Sequence, residues 1–217
     1  MRLALEKALK EIKDKTIEII NMGKESVYYA VKYITEGGRE FKDRLNELEI
    51  KSDSLNVVIQ DLCLVTMARQ QPVARDMRFI ASMMNISSFF ERICDLSQEV
   101  LEEAFTGESK YINEIKTKIL WMAQKVISMI DIVLDAMINE DISKLKENLE
   151  AYDNEIDKLF DEAREDIEKY IKEDLDQIKD YIRGVLIIKY LERIGDIVAK
   201  TGARIIYIEE GKHVLIK

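Results

Sequence analysis

Apolar residues recur at steps of three and four along most of the chain. In the first segment the spacing runs through Leu5, Ala8, Leu9, Ile12, Ile17, Ile20, Val27 and Val31. Such spacing collects apolar side chains on one face of a helix. The pattern is interrupted and restarts five times, which predicts six long helices. They are predicted over 3–34, 39–69, 76–105, 109–138, 142–170 and 176–208.

The interruptions carry residues that end helices. Gly37-Gly38 follows the first helix, and the second stops before Gln71-Pro72, because the residue that precedes a proline is disfavoured in the α region. Thr106-Gly107 closes the third helix, residues 139–141 separate the fourth from the fifth, and Gly211 ends the sixth before a short tail. Connections this short require neighbouring helices to run antiparallel.

Composition supports an all-α fold. The chain has 217 residues, of which 47% are hydrophobic, with one Pro and eight Gly, too few turn residues for a protein of many strands. A chain of this size can bury a sizeable core in one domain or in two halves.

The two halves of the chain resemble each other. Residues 90–95 read FERICD and residues 191–196 read LERIGD, at an offset of 101 positions. Upstream, Glu49-x-x-x-Asp53 corresponds to Asp153-x-x-x-Asp157 at an offset of 104, so one small length change reconciles the two alignments. We therefore predict two tandem three-helix bundles related by internal duplication, over residues 1–106 and 107–217.

Four pairs of carboxylates stand out at the repeated positions. They are Glu49 and Asp53, Glu91 and Asp95, Asp153 and Asp157, and Glu192 and Asp196. Residues four apart share a helix face, so each pair points two acids in one direction. The second and third helices of each half would bring two pairs together, and four converging carboxylates require shifted pKa values, neutralising arginines or bound cations. This arrangement predicts a metal site in each half.

A second interpretation of these acids stays open. With 42 Asp and Glu in the chain, about eight acidic pairs at this spacing would arise by chance. The four pairs would then lie on solvated faces or be paired with arginine. Arg92 and Arg193, which follow Glu91 and Glu192, would pair with a neighbouring helix or an anion, or serve as ion-pair partners. Repetition of the acids in both halves favours the metal interpretation.

The donor set limits the metal and the chemistry. Oxygen ligands suit hard cations, and a single histidine, His213, leaves no Cys and His cluster for structural zinc. A carboxylate-bridged metal-storing protein or a di-metal enzyme in a helix bundle is the alternative, but ferritin-like sites need a Glu-x-x-His on two helices. No nucleotide-binding or nucleophile motif is present, so we expect no catalysis.

The charge of the chain and the lengths of its apolar runs limit the partners that can be expected. Acids outnumber the 33 Lys and Arg, and no uninterrupted basic block exists, so nucleic acid is not expected as a partner. Charges interrupt every apolar run before about 18 residues, and Glu6 and Glu11 do not fit a secretory signal, so no membrane insertion and a cytoplasmic location are expected. Cys63 and Cys94 are expected to be buried thiols, and Trp121 a core residue.

Two signatures resemble those of a known family. Residues 70–80 read QQPVARDMRFI, similar to the QQPVAxDLRxI signature of the PhoU family, and the FERICD and LERIGD segments resemble its LERIGD signature. The similarity extends from the first helix to Gly211. The first half departs from the family pattern with Phe90 for Leu, Cys94 for Gly, and Asn56 where many members have an acid. By this resemblance the second site is the more typical one.

Membership would imply both a site and a role. Each half would hold a multinuclear cluster of divalent or trivalent ions on its E/DxxxD motifs, with iron as the first candidate and manganese, magnesium or zinc as others. The implied ligands are Glu49, Asp53, Glu91, Asp95, Asp153, Asp157, Glu192 and Asp196. The implied role is a negative regulator of high-affinity phosphate uptake and phosphate signalling. Its expected partners are the ATPase subunit of the phosphate transporter, in bacteria a sensor histidine kinase, and a second copy in a homodimer.

Overall fold

Six long helices account for most of the structure. The computed structural model describes residues 2–216 of the chain. A short 3-10 turn, Leu175–Gln177, precedes the last helix. The helices are α1 Arg2–Glu36, α2 Arg39–Gln70, α3 Ala74–Glu102, α4 Lys110–Asn139, α5 Leu145–Glu173 and α6 Ile178–Glu210. The all-α prediction is confirmed.

The predicted stop residues end their helices through the backbone. Gly37 has a φ of 72° and donates its N–H to the carbonyl of Tyr33, and Gly211 has a φ of 68° and donates to Tyr207. Both are left-handed caps, which glycine adopts without strain. Ser109 caps the start of α4, because its hydroxyl accepts a hydrogen bond from the N–H of Ile112.

The third helix is shorter than predicted at its end. It stops at Glu102 rather than at residue 105, since the next residues turn toward the start of α6. There the buried carboxylate of Asp180 accepts hydrogen bonds from the N–H groups of Thr106 and Gly107. Those N–H groups would otherwise lack a partner, so this contact fixes the connection between the bundles.

The fifth helix begins three residues later than predicted. Asp141 accepts a hydrogen bond from the N–H of Ser143 at 2.9 Å, which closes a turn of the kind that Asp favours outside helices. Glu140 before it has a left-handed φ of 57° and ends α4. The chain therefore enters α5 only at Leu145.

Helices α1 to α3 pack on one another as one bundle, and α4 to α6 as a second. The bundles meet where α3 lies against α6 and α1 against α4, so that buried residues from both halves form one continuous core. Phe90, fully buried on α3, faces Gly23 on α1, where a Cβ atom would lie 2.6 Å from its ring. Phe90, which replaces the leucine found at the equivalent position 191, thus has room for its ring because residue 23 is a glycine.

Helices α3 and α6 run antiparallel at the centre of the molecule. Near one end Arg78 donates to the carbonyl of Ile208, and one turn further Ser82 donates to that of Arg204. Residues that face each other across the two helices therefore have numbers that sum to about 286. Ile93 and Ile194, which are equivalent positions of the two repeats at the offset of 101, come close to this sum, so they lie at the centre of the contact. Both are fully buried. The bundles are therefore related by an approximate two-fold axis between α3 and α6.

Three further predictions can be compared with the structure. Cys63 and Cys94 are buried free thiols, as predicted. Trp121 was wrongly predicted to lie in the core: the residue is 51% exposed on α4. No helix within the described part of the chain is long and apolar enough to cross a membrane.

Candidate metal centres

The first cluster of carboxylates lies between α2 and α3. Glu49 and Asp53 come from consecutive turns of α2, and Asp95 comes from α3, which packs beside it. One oxygen from each of these three side chains lies within 4.8 Å of the others. Glu91, one turn before Asp95, is half-buried on the same helix. The structure thus brings residues from both predicted pairs of the first half together.

The pKa values in this cluster reflect burial and mutual repulsion. Burial raises the pKa of Glu49, and the neighbouring Asp53 and Asp95 raise it further. Burial likewise raises the pKa of Glu91, with smaller contributions from Asp95, Asp53 and Glu49, while Arg92 acts in the opposite direction. A cation bound among these oxygens would remove the repulsion.

An arginine lies at the edge of the first cluster. Arg92 lies 3.2 Å from the carboxylate of Asp95 and 3.1 Å from that of Glu99 on the same helix. Of the roles considered for Arg92, this contact matches that of an ion-pair partner. The pair is partly exposed, so it contributes little stability and leaves the second oxygen of Asp95 available.

The second cluster lies between α5 and α6 and includes a more buried carboxylate than the first. Asp153 is only 7% exposed, and burial, followed by Asp157, Asp196 and Glu192, raises its pKa to about 6. The pKa of Asp157 is also raised, first by burial and then by Glu192 and Asp196. All four predicted residues of the second half therefore influence one another. Among the described residues they do not form a three-oxygen group as tight as the first.

Glu192 is the least satisfied carboxylate of the second cluster. Its Oε2 atom is buried and has no hydrogen-bond partner. The ammonium of Lys189 lies 2.7 Å away but outside the angles of a hydrogen bond, so the contact is an ion pair only. The ammonium offsets the charge of this oxygen but leaves it without a hydrogen bond, and a metal ion is one group that could take the ammonium's place.

Sequence reasoning missed several residues around the clusters. Lys189 and the ring of Phe160 flank the second cluster, with the ammonium 5.1 Å from the ring centre. Beside the first cluster, Gln60 donates hydrogen bonds to Ser88 and to the carbonyl of Met84. Comparing the two repeats position by position, beyond the acids themselves, would have pointed to these residues.

The donor set fits a hard metal ion. Every predicted ligand is a carboxylate, which suits iron, manganese or magnesium, and several are half-buried beside other acids. Ion-pair partners within the described residues reach Asp95 and Glu192 among the eight. Arginine pairing thus accounts for only one of these carboxylates, and the residues present suit metal binding.

Comparison with known proteins gives the family. The PhoU domain model matches the chain twice, over residues 9–104 and 119–205. The chain belongs to the PhoU family. The two matches coincide with the two bundles, so the internal repeat is a repeat of the PhoU domain.

Similar proteins support this assignment. A PhoU homolog from Archaeoglobus fulgidus, named a phosphate-specific transport system accessory protein, is 32% identical over 213 residues and covers 98% of each chain. A homolog of the same name from Borreliella burgdorferi is 30% identical, over 80% of this chain and 79% of that protein.

Two crystal structures share the PhoU fold. PhoU from Pseudomonas aeruginosa superposes with a TM-score of 0.86 at 22% identity, and covers 95% of this chain and 99% of its own. The phosphate transport system regulatory protein PhoU from Streptococcus pneumoniae has the same TM-score at 20% identity, over 97% and 99% of the two chains. At these identities the likeness concerns the fold.

Proposed function

We propose that this chain is a non-catalytic accessory protein of phosphate transport, which binds metal ions at the two carboxylate clusters and represses phosphate uptake when phosphate is plentiful. The observation that carries the proposal is the conjunction of two PhoU domains with a carboxylate cluster in each. Fold alone would not support a function, whereas repeated acids brought together by the fold do.

In this proposal the eight carboxylates hold divalent or trivalent ions. Iron is the first candidate, with manganese, magnesium or zinc as further ones. Bound ions would neutralise acids such as Asp153, whose raised pKa reflects the cost of its charge in the metal-free protein. The clusters would then stabilise the bundles, and regulation would take place through contacts with other proteins.

The proposed partner is the ATPase subunit of the phosphate transporter, and in bacteria also a sensor histidine kinase. Because that ATPase works on cytoplasmic ATP, the proposal implies a cytoplasmic location, and membrane association only through the transporter. Uptake of labelled phosphate in cells that lack the gene tests this role. Loss of phosphate repression, restored by the wild-type gene, is expected; uptake that stays normally repressed would exclude the role.

Metal content tests the clusters separately. Asp95→Asn removes an anionic ligand from the first cluster and Asp196→Asn one from the second, each with little change of shape. Elemental analysis of the purified proteins should show a loss in each variant, and the two losses should add. Asp61→Asn, an exposed acid of α2 outside the clusters, serves as the control and should keep the wild-type content.

Stoichiometry also separates regulation from the alternative function. A storage protein or di-metal oxidase would take up iron beyond the capacity of its carboxylate clusters, or consume oxygen on adding ferrous iron. A regulator should saturate at the number of ions that the two clusters hold, and should show no turnover.

A homodimer is also part of the proposal, and an unusual surface supports it. We call this surface the α2 apolar face. Its members are all at least 44% exposed: Ile50, Val57, Val58, Leu64 and Val65. The corresponding positions of α5, 104 residues later, are all polar or charged: Asn154, Asp161, Glu162, Glu168 and Lys169. An exposed apolar stripe on only one of two duplicated helices is typical of an interaction surface.

The charges beside this face suit a second copy of the same helix. If two α2 helices paired antiparallel about Val57, Lys51 would lie about 3 Å along the axis from Asp61 of the second copy, and Glu47 about 3 Å from its Arg69. Such a pairing is isologous, as in most homodimers. Light scattering should find a dimer that Ile50→Glu converts to a monomer, while the matched change Asn154→Glu on α5 leaves it intact.

A further inference from the structure

The second cluster contains a lysine that the first lacks. The ammonium of Lys189 lies 2.7 Å from the buried Oε2 of Glu192 and over the ring of Phe160 on α5. Its positive charge also opposes the rise in the pKa of Asp157. Lys189 thus places a cation between acids of α5 and α6, in the region where a metal ion would lie.

The corresponding positions of the first cluster are neutral. Ser88 stands 101 residues before Lys189, and Asn56 stands 104 residues before Phe160. Both belong to an uncharged network. Ser87 donates to Asn56 at 2.8 Å, and Gln60 donates to Ser88 at 3.1 Å. The lysine and the aromatic ring beneath its ammonium are therefore both replaced in the first half.

The arginines of the two halves differ as well. Arg92 pairs with one oxygen of Asp95 at 3.2 Å, whereas Arg193, at the same repeat position, makes no ion pair with an acid of the second cluster among the described residues. Lys189 and Lys200, where the first half has Ser88 and Glu99, are cations of the second half only, and of these two Lys189 is the one in an ion pair with a predicted ligand. The three-oxygen group occurs in the half without this lysine.

We propose that Lys189 is a tethered cation that makes the second centre bind metal more weakly than the first. The inference rests on the proposed metal binding. A metal ion that enters the second cluster must displace the ammonium from Glu192, and the displaced charge stays nearby on its side chain. Both effects oppose binding, and in the first centre the longer, partly exposed contact of Arg92 with Asp95 opposes it less. Because the lysine is 41% exposed, water screens part of the effect, and we expect about a tenfold difference in affinity.

Manganese(II) is a suitable probe, because free and bound ions can be counted by electron paramagnetic resonance. Asp95→Asn disables the first centre and isolates the second, and Asp196→Asn does the reverse. In the Asp95→Asn background, Lys189→Met keeps the length of the side chain over Phe160 and removes its charge. It should tighten manganese binding about tenfold, while Lys189→Arg should leave it weak.

The reciprocal change tests the first centre. In the Asp196→Asn background, Ser88→Lys should weaken manganese binding about tenfold. A readout without metal complements it: in the metal-free protein Lys189 neutralises Glu192, so Lys189→Met should melt about 1 to 3 °C below Lys189→Arg. A merely space-filling role for Lys189 would leave the two variants alike.

The outcomes separate this inference from the proposed function. Manganese binding that Lys189→Met leaves unchanged in the second centre would overturn the role of Lys189 and leave the metal centres standing. Absence of manganese, iron and magnesium binding from the wild-type protein and from every variant would overturn the metal centres themselves. A second centre that binds more tightly than the first in the wild-type protein would also contradict the inference.

Discussion

Asp180 accepts two hydrogen bonds from Thr106, one from its backbone N–H at 2.9 Å and one from its hydroxyl at 3.2 Å. A third comes from the N–H of Gly107 at 3.0 Å. The carboxylate is 4% exposed and joins the connection between the bundles to the start of α6. It therefore accepts hydrogen bonds from two backbone N–H groups that lie outside the helices.

Asp180→Asn should lower the free energy of unfolding by about 1 to 3 kcal/mol, because the new amide group turns a donor toward a backbone N–H that needs an acceptor. Urea denaturation measures the change. Asp176→Asn, at an exposed position of the preceding turn, is the control and should be nearly neutral. Equal losses in the two variants would contradict this role of Asp180.

The second cluster should give the metal-free protein an unusual dependence on pH. The pKa of Asp153 rises from 3.8 to about 6 in the folded state, mainly through burial. Between these values the folded protein binds a proton at Asp153 more readily than the unfolded chain does. Protonation of Asp153 therefore stabilises the folded state, and this contribution is complete below about pH 4 and is lost as pH rises through 6. Metal-free protein should therefore lose about 1 kcal/mol from this group between pH 5 and pH 7.

Asp153→Asn removes the titrating group and should flatten that part of the profile. Chemical denaturation of metal-free protein at a series of pH values, for wild type and variant, gives the difference directly. Metal-loaded wild type should lack the loss, since the bound ion holds the carboxylate charged. If the free energy of unfolding of wild type relative to Asp153→Asn rose with pH instead, the folded state would favour the charged form of Asp153, contrary to this prediction.

The contact between Gly23 and Phe90 predicts a coupled pair. Alanine usually favours a helix over glycine by about 1 kcal/mol, but at position 23 its Cβ would meet a fully buried ring at 2.6 Å. Gly23→Ala should therefore destabilise the protein by about 1 to 2 kcal/mol. In a Phe90→Leu background the same change should cost much less. A double-mutant cycle measures the coupling, and simple additivity of the two changes would disprove the steric conflict.

Removal of metal should lower the melting temperature. A ligand present at about 100 times its dissociation constant stabilises a protein by about 2.7 kcal/mol, which is roughly 5 to 10 °C for a chain of this size. A chelator should produce that fall, and added metal should reverse it. If the acids merely crowd a solvated face, the chelator changes nothing, and Asp196→Asn gains a few tenths of a kcal/mol from relieved repulsion.

Much of the fold could be predicted because its signals are local. The apolar period marked all six helices, and Gly37, Ser109 and Gly211 lie within a residue or so of helix ends. The late start of α5 comes from the local turn at Asp141 and Ser143, whereas the early stop of α3 depends on a contact that a local pattern does not contain. Asp180 acts on Thr106 from 74 residues away. Trp121 shows the same limit, because its place in the period did not reveal that its ring faces solvent.

The candidate site divides in the same way. The eight acids could be found because the repeat distinguishes them from the many chance pairs, and the helix packing brings them together within each half. The difference between the surroundings of the two clusters could not be found from the acids, since these occur in both halves. It lies in neighbours such as Lys189 and Ser88, which differ between the repeats and whose contacts with Glu192 and Gln60 only the structure shows.

The approximate two-fold axis between α3 and α6, with Ile93 and Ile194 at its centre, gives the molecule the architecture of a dimer of three-helix units within one polypeptide. Two identical subunits encoded by a single gene would be obliged to carry the same residue at both copies of every position. Joining the copies in tandem removes that obligation, and each half can acquire its own side chains while the shared interface persists. Serine at position 88 and lysine at position 189 are one product of that freedom.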